Sequence, residues 1–186
     1  MSATPLPKPP VKVPEFLAWA GAQADGRYEL VDGVVVAMAP DNVRHNLVKL
    51  AVARALGDAI RAGGLPCFVF TDGVGVIIDD SLMRVPDASV QCGLTPKLDA
   101  ATIEAPLIVV EVVSPSSVRR DGHEKLIEYF SVPSIHHYLI VFAEKRVVVH
   151  HQRNAAAIAT RILHDGDILL DPPGMTVAVA SLLGPS

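Results

Sequence analysis

The sequence predicts an α+β fold, an α/β mixed sheet flanked by few helices, and three observations carry that expectation. Residues 105–130, APLIVVEVVSPSSVRRDGHEKLIEYF, open with Leu107, Ile108, Val109, Val110, Val112 and Val113, an apolar run that fits a strand covered on both faces. Short β-branched segments separated by Asp-Gly pairs recur on either side of it. Stretches with helical spacing are few, the main ones being residues 15–24, 43–62 and 121–130.

Taken in order, residues 1–14 carry Pro5, Pro7, Pro9, Pro10 and Pro14 and read as an extended, flexible leader to a single domain spanning 15–186. Residues 15–24 form a short helix that buries Phe16, Leu17 and Trp19, with Pro14 at its start, where a missing N–H costs nothing. Residues 27–39 read as a hairpin turning at Asp32-Gly33, with Glu29 between Tyr28 and Leu30. Pro40-Asp41-Asn42 breaks the strand and offers a helix cap. The helix 43–62 then presents Val43, Leu47, Leu50, Ala51, Leu56 and Ile60, with His45 in its first turn off that stripe and Gly63-Gly64 at its end.

Residues 66–78 read as a second strand pair around Asp72-Gly73, and 83–91 as one short strand. After a surface connection at 93–104 comes the central strand, stopped by Ser114-Pro115-Ser116-Ser117. The helix 121–130 turns Leu126, Ile127, Tyr129 and Phe130 inward. Strands at 134–142 and 147–152 follow, joined by a turn at 143–146. Those at 158–163 and 168–170 continue as antiparallel strands with Asp165-Gly166 between them, and 175–183 closes with a small strand and a short helix.

Composition bounds the function. Half of the residues are hydrophobic and the mean hydropathy is +0.36, yet no apolar run reaches the roughly 18 residues of a membrane span. The N-terminal stretch lacks the apolar core of a signal peptide. Cys67 and Cys92, in strand-like contexts, read as buried free thiols of a reducing compartment, so a cytoplasmic location is expected. A formal charge of −4 argues against broad attraction to nucleic acid, which would have to rest on a local basic patch or on bound metal.

One residue breaks the central apolar run, and it is an acid, Glu111. An ionised carboxylate there is costly unless a cation compensates it. Asp87 follows Pro86 in another apolar strand. Two carboxylates on neighbouring strands are what Mg²⁺ takes, since it uses few protein oxygens and keeps its water. A single acid would more simply end a turn or pair with an arginine. Two acids with Lys125 close behind favour a site. Alone, Lys125 would form a surface pair with Asp121 one turn earlier. Glu29 alternates with apolar neighbours, and His45 could serve as general base, phosphate donor or surface histidine. His136-His137 and His150-His151 do not read as metal ligands, because adjacent strand residues point to opposite faces. No Walker loop, G-x-G-x-x-G or G-x-S-x-G is present, and Ser114, Ser116 and Ser117 have no histidine partner in sequence.

The order YELVDG, a helix opening with His45, VPDASV, IVVEVVSPSSVRRD, EKLIEY and HYLIV resembles the Uma-two family of restriction endonuclease-like proteins, within the PD-(D/E)xK nuclease superfamily, from about Tyr28 to about Gln152. The resemblance implies a restriction endonuclease-like core, a central mixed sheet flanked by helices with the acids on adjacent strands. It implies Mg²⁺-dependent (alternatively Mn²⁺-dependent) hydrolysis of DNA by a homodimer, since cutting both strands takes two sites. By motif, Asp87 supplies the PD acid and Glu111 the second acid, both as metal ligands. The superfamily lysine would fall at Val113, and the resemblance implies that it has moved to Lys125. Glu29 matches the acid of the Y-E-L segment, as a catalytic residue adding a metal or water contact, and His45 matches the histidine of the following helix. Arg119 and Arg120, with Arg44 and Lys49, would contact the substrate backbone. Phe142 and Ala143 depart from the family's acid and proline after the strand. The rivals are a catalytically silent nuclease-fold binding or assembly domain, and a hydrolase of small phosphoesters.

Overall fold

The computed structural model describes residues 6–113 and 122–185. Helix α1 (Val13–Gly21) begins over Pro14 and buries Val13, Phe16 and Trp19, and Val11, just before it, is buried as well. Strands β1 (Tyr28–Val31) and β2 (Val34–Ala37) form the expected hairpin. Asp32 and Gly33 both take positive φ, 49° and 74°, as the tight primed turn requires. Helix α2 (Val43–Gly63) is capped by the Asn42 side chain, which accepts the His45 N–H at 2.9 Å, and ends at Gly64 in the left-handed conformation. There follow β3 (Cys67–Thr71), β4 (Val76–Ile77), β5 (Met83–Arg84), β6 (Ala88–Cys92), β7 (Pro106–Val112) and helix α3 (Gly122–Ser131). The chain ends with β8 (His137–Phe142), β9 (Val147–Arg153), β10 (Ile158–Leu163), β11 (Asp167–Leu170), β12 (Met175–Ala178) and helix α4 (Val179–Leu182).

The main sheet has six strands in the order β10-β9-β8-β7-β6-β3. Its β7–β8 pair is parallel and its other ladders are antiparallel, so the expected α+β mixed sheet is observed. A parallel pair needs a crossover, and the connection from β7 to β8 carries α3. On one face Val48, Val52, Leu56 and Ile60 of α2 pack with Ala88, Val90, Ile108 and Val110. On the other, Tyr129 and Ile135 pack with Val109, Tyr138 and Ile140. A smaller sheet, β2-β1-β5-β4, packs on α1 through Leu30, Met83 and Val85. No helix among the described residues is long and apolar enough to cross a membrane.

Several expectations are corrected. The buried ridge of α2 is Val48, Lys49, Val52, Leu56 and Ile60, whereas Val43, Leu47 and Leu50 are exposed. The four-residue repeat of modest valines marks the inner face, and the larger leucines lie beside it. Strands β3 and β4 do not pair with each other, because β3 joins β6 in the main sheet and β4 joins β5 in the small one. The stretch 83–91 is likewise two strands, passing from one sheet to the other at Val85-Pro86-Asp87. β10 pairs with β9, while β11 turns on itself with β12. Cys67 and Cys92 are not free thiols. They stand directly opposite in the β3–β6 ladder and are joined as a disulfide, which removes the support that free thiols gave to a reducing compartment.

His137 and His150 are fully buried. Arg161 Nη2 donates to His150 Nδ1 at 3.0 Å. His150 Nε2 must then carry the proton toward His137 Nδ1, 2.9 Å away. His137 Nε2–H in turn donates to the Pro172 carbonyl at 2.9 Å. This one-way chain holds both rings neutral, and burial pushes His137 down to about 4 and His150 down to about 3. Between those values and the ordinary 6.5 the unfolded chain binds more protons, so stability falls as pH drops below 6.5. Urea denaturation across pH 4 to 7 is expected to show that slope, and a His137→Gln/His150→Gln variant a shallower one.

Candidate active site

The site lies where strand ends meet both helix layers. The Ala88↔Val110 pairing sets Asp87 across from Glu111. The Val112 N–H donates to Asp87 Oδ2 at 2.7 Å and fixes that carboxylate against the end of β7. Both acids are largely buried, 6% and 9% exposed. Each meets an ammonium from a different helix.

On the α2 side, His45 and Lys49 lie one turn apart on one face of the helix, and Asp41, just before the Asn42 cap, sits at the head of that face. Lys49, only 5% exposed, donates to Asp41 Oδ2 at 2.6 Å, Asp72 Oδ2 at 3.0 Å and Asp87 Oδ1 at 2.8 Å. Arg27 binds the same Asp72 and reaches Asp41 at 3.2 Å. His45 Nε2 stands 3.6 Å from both Asp41 Oδ1 and Asp87 Oδ2, close enough for electrostatic attraction though long for a hydrogen bond.

On the α3 side, Lys125 Nζ donates to Glu111 Oε1 at 2.8 Å and lies 4.0 Å from Glu29 Oε1. The Tyr129 hydroxyl donates to the same Glu111 oxygen at 2.7 Å. Behind them Arg84 grips Glu128 with two bonds of 2.7 and 2.8 Å and Glu29 with one of 3.1 Å. The Val85 N–H holds the other oxygen of Glu29 at 3.0 Å.

These contacts divide the two acids. Burial raises Asp87, but His45, Lys49 and the Val112 N–H outweigh it and hold the carboxyl below 3.8. Burial dominates at Glu111, with Asp87 adding repulsion, so that acid stays above 4.5 despite Lys125. Burial also opposes the charge on both lysines, yet their carboxylate partners raise Lys49 and Lys125 above 10.5. Burial pushes the Tyr129 phenol well above its usual value, so it acts as a neutral donor. The lysines are therefore permanent cations, unsuited to act as bases.

The acids open on a cleft of about 380 Å³ whose apolar lining includes Met38, Ile140 and Phe142. Asp87 and Glu111 offer hard oxygens side by side, the donor type Mg²⁺ prefers. No cluster of three or more metal-binding side chains is found among the described residues. The fit is to an ion completed by water and substrate oxygens, rather than to a closed protein cage.

Of the residues singled out by sequence, Asp87, Glu111, Lys125, Glu29 and His45 all line this cleft. Both oxygens of Glu29 are engaged, by Arg84 and by the Val85 N–H. Lys49, expected at the substrate backbone, is instead buried in the centre of the site, while Arg44 is exposed. Arg119 and Arg120 lie outside the described residues. Sequence reasoning missed Asp41, Asp72, Arg27, Arg84 and Tyr129. The Asp41, His45, Lys49 spacing was the available signal for the first.

A family model described as "Uma2: Putative restriction endonuclease" matches residues 13–181. "Uncharacterized protein slr1290" of Synechocystis sp. (strain ATCC 27184 / PCC 6803 / Kazusa) is 26% identical over 136 residues, 73% of this chain and 70% of that protein. A crystal structure titled as "a putative nuclease belonging to DUF820 from Anabaena variabilis ATCC 29413" matches with a TM-score of 0.69 over 94% of this chain and 98% of that one. At 14% identity that likeness shows the fold alone.

Two outcomes follow from the geometry. In a ¹³C-carboxyl NMR titration Asp87 is expected to titrate below 3.8 and Glu111 above 4.5, with Lys125→Met moving Glu111 further up. By linkage, the stability contributed by Asp87 is lost as pH falls through its depressed value. Glu111 costs stability as pH rises from 4.5 through its raised one. Arg84→Met would leave the buried Glu29 and the partly buried Glu128 without their shared arginine and is expected to cost about 3–5 kcal/mol in chemical denaturation.

Proposed function

Because this chain belongs to the Uma2 family of restriction endonuclease-like proteins, we propose that it is a metal-dependent nuclease hydrolysing phosphodiester bonds in DNA. The observation that carries this reading is the juxtaposition of Asp87 and Glu111 across β6 and β7, with a charged Lys125 bonded to Glu111 at the edge of an open cleft. That is the acid-acid-lysine arrangement of the PD-(D/E)xK nucleases that the sequence resembles.

Asp87 and Glu111 would hold the divalent ion, Mg²⁺ or Mn²⁺. When bound, the ion supplies a water of lowered pKa and neutralises charge on the scissile phosphate. Lys125 presents a positive charge beside that position, and it orients the attacking water or meets the charge that develops on phosphate oxygen. Tyr129 fixes the Glu111 oxygen that Lys125 also uses. Glu29, held by Arg84, keeps a second carboxylate near the ammonium and supports it. His45, in the first turn of α2, faces the cleft as a donor to phosphate. Arg119 and Arg120, just ahead of α3 in sequence, are proposed as backbone contacts. Cutting both strands would bring two copies of the chain together.

One observation favours the second reading, a catalytically silent binding or assembly domain: both acids are already paired with lysines, Asp87 with Lys49 and Glu111 with Lys125, each at 2.8 Å. Calorimetric titration of Mg²⁺ and Mn²⁺ into wild type and Glu111→Gln, followed by plasmid incubation, separates the two. The nuclease reading expects ion binding lost in the variant, metal-dependent nicking by wild type, and a loss of about 10²-fold or more in Lys125→Ala. A folded wild type that binds neither ion, or a Lys125→Ala that nicks normally, would overturn it or its lysine respectively.

A further inference from the structure

Lys49 has no part in the mechanism above, yet it is as enclosed as Arg84, with 5% of its surface exposed. It sits on the buried ridge of α2 between Val48 and Val52, so it cannot swing away as a surface lysine does. Its ammonium has three protons and three carboxylate acceptors, on Asp41, Asp72 and Asp87. Two of those acceptors, Asp41 and Asp72, are also bound by Arg27. The third, Asp87, has no such second ion-pair partner of permanent charge among the described residues, and its other oxygen is occupied by the Val112 N–H.

We propose that Lys49 is a built-in competitor for the divalent ion: its ammonium occupies Asp87 Oδ1 in the ion-free protein, and withdraws onto Asp41 and Asp72 when the ion takes that oxygen. This rests on the nuclease reading and adds a regulation to it. Lys49 sets the ion concentration at which the site loads, and so keeps the enzyme off below that threshold. The charge balance agrees. Across the site the carboxylates of Asp41, Asp72, Asp87, Glu111, Glu29 and Glu128 meet four permanent cations, two lysines and two arginines. With His45 counted as neutral, that leaves two negative charges among the described residues, the complement of one divalent ion. Asp41 and Asp72 then have a purpose that a two-carboxylate ion site does not otherwise need. They receive the displaced ammonium, which would be stranded in a buried position without them.

The test is calorimetric titration of Mn²⁺ into metal-free protein without nucleic acid, with circular dichroism melts to establish that each variant folds. Lys49→Gln is expected to bind about tenfold tighter or more, and Lys49→Arg to stay near wild type. Because deleting a lysine alone also changes net charge, Lys49→Gln/Asp72→Asn holds the charge constant and is expected to keep the gain. It also carries the test by itself if the single variant does not fold. Adding Glu111→Gln to Lys49→Gln is expected to abolish the gain, since the ion belongs between Asp87 and Glu111. A lysine that merely braces the fold would weaken ion binding on removal, the opposite sign.

Unchanged or weaker binding in folded Lys49→Gln overturns the proposal. So does a gain that survives Glu111→Gln, which would put the ion in the space vacated by the lysine. If wild type binds Mn²⁺ and nicks DNA while the variants bind equally, only this inference falls. If neither wild type nor variant binds, the nuclease reading falls with it.

Discussion

A carboxylate enclosed at the end of a sheet strand stays ionised only if the fold brings it a cation, and this molecule does so twice. Asp87 receives Lys49 from α2 and Glu111 receives Lys125 from α3, so the two helix layers on opposite faces of the main sheet meet at one pair of acids. Neither pairing is an independent surface bridge worth a few tenths of a kcal/mol. Lys49 is buried and Lys125 partly so, each along an element whose apolar ridge is docked elsewhere, Val52 and Leu56 for α2 and Tyr129 for α3. Ordinary hydrophobic packing therefore aims the charges. Arg84 extends the same logic one layer out by tying Glu128 of α3 to Glu29 of β1, so the small sheet helps set the position of the helix that carries Lys125.

The two acids are not equivalent: burial raises both, and at Asp87 His45, Lys49 and a backbone N–H outweigh it. Asp87 sits where the chain passes from the small sheet into the main one. There the Val112 N–H at the end of β7 is free to donate to a side chain. That bond, with Lys49, stabilises the charged form. Glu111 lies one residue further inside β7, among Val109, Ile140 and Tyr129, where burial dominates. The cleft thus opens beside one acid whose contacts favour its charged form and one whose burial opposes it.

Much of this was legible in sequence. The uninterrupted apolar strand with one acid identified β7 and Glu111, because nothing but a compensated charge is tolerated there. Pro86-Asp87 and the helical placement of Lys125 followed from local pattern. Less legible was what depends on partners far along the chain. Periodicity could not tell which flank of α2 faces inward, since Leu47 and Leu50 are as apolar as the buried Val48 and Val52, and the sheet alone decides. Nor could it show that Val85-Pro86-Asp87 changes sheets, or that Cys67 and Cys92, 25 residues apart, lie opposite in one ladder. Lys49 was misplaced at the substrate backbone and Arg84 was overlooked for the same reason. A cation reads as surface until its acids are known, and the acids of Lys49 come from three separate segments.

The position of Lys125 illustrates how topology can substitute for sequence register. The resemblance places the superfamily lysine two residues after the glutamate, which on a strand points to the same face, and here that residue is Val113. A parallel partner for β7 requires a crossover, and the crossover helix α3 lies over the face on which Glu111 and Tyr129 meet. A lysine in the first turns of α3 thus approaches the same carboxylate from above rather than alongside it, reaching Oε1 at 2.8 Å. Val113 is left to line the cleft as an apolar residue. The ammonium is fixed by the tertiary docking of a helix, and that docking depends on Arg84 and the Tyr129 hydroxyl. In this arrangement residues behind the acid pair decide where the positive charge stands, because a side chain carried on a strand is aimed by the ladder while one carried on a helix is aimed by everything the helix packs against.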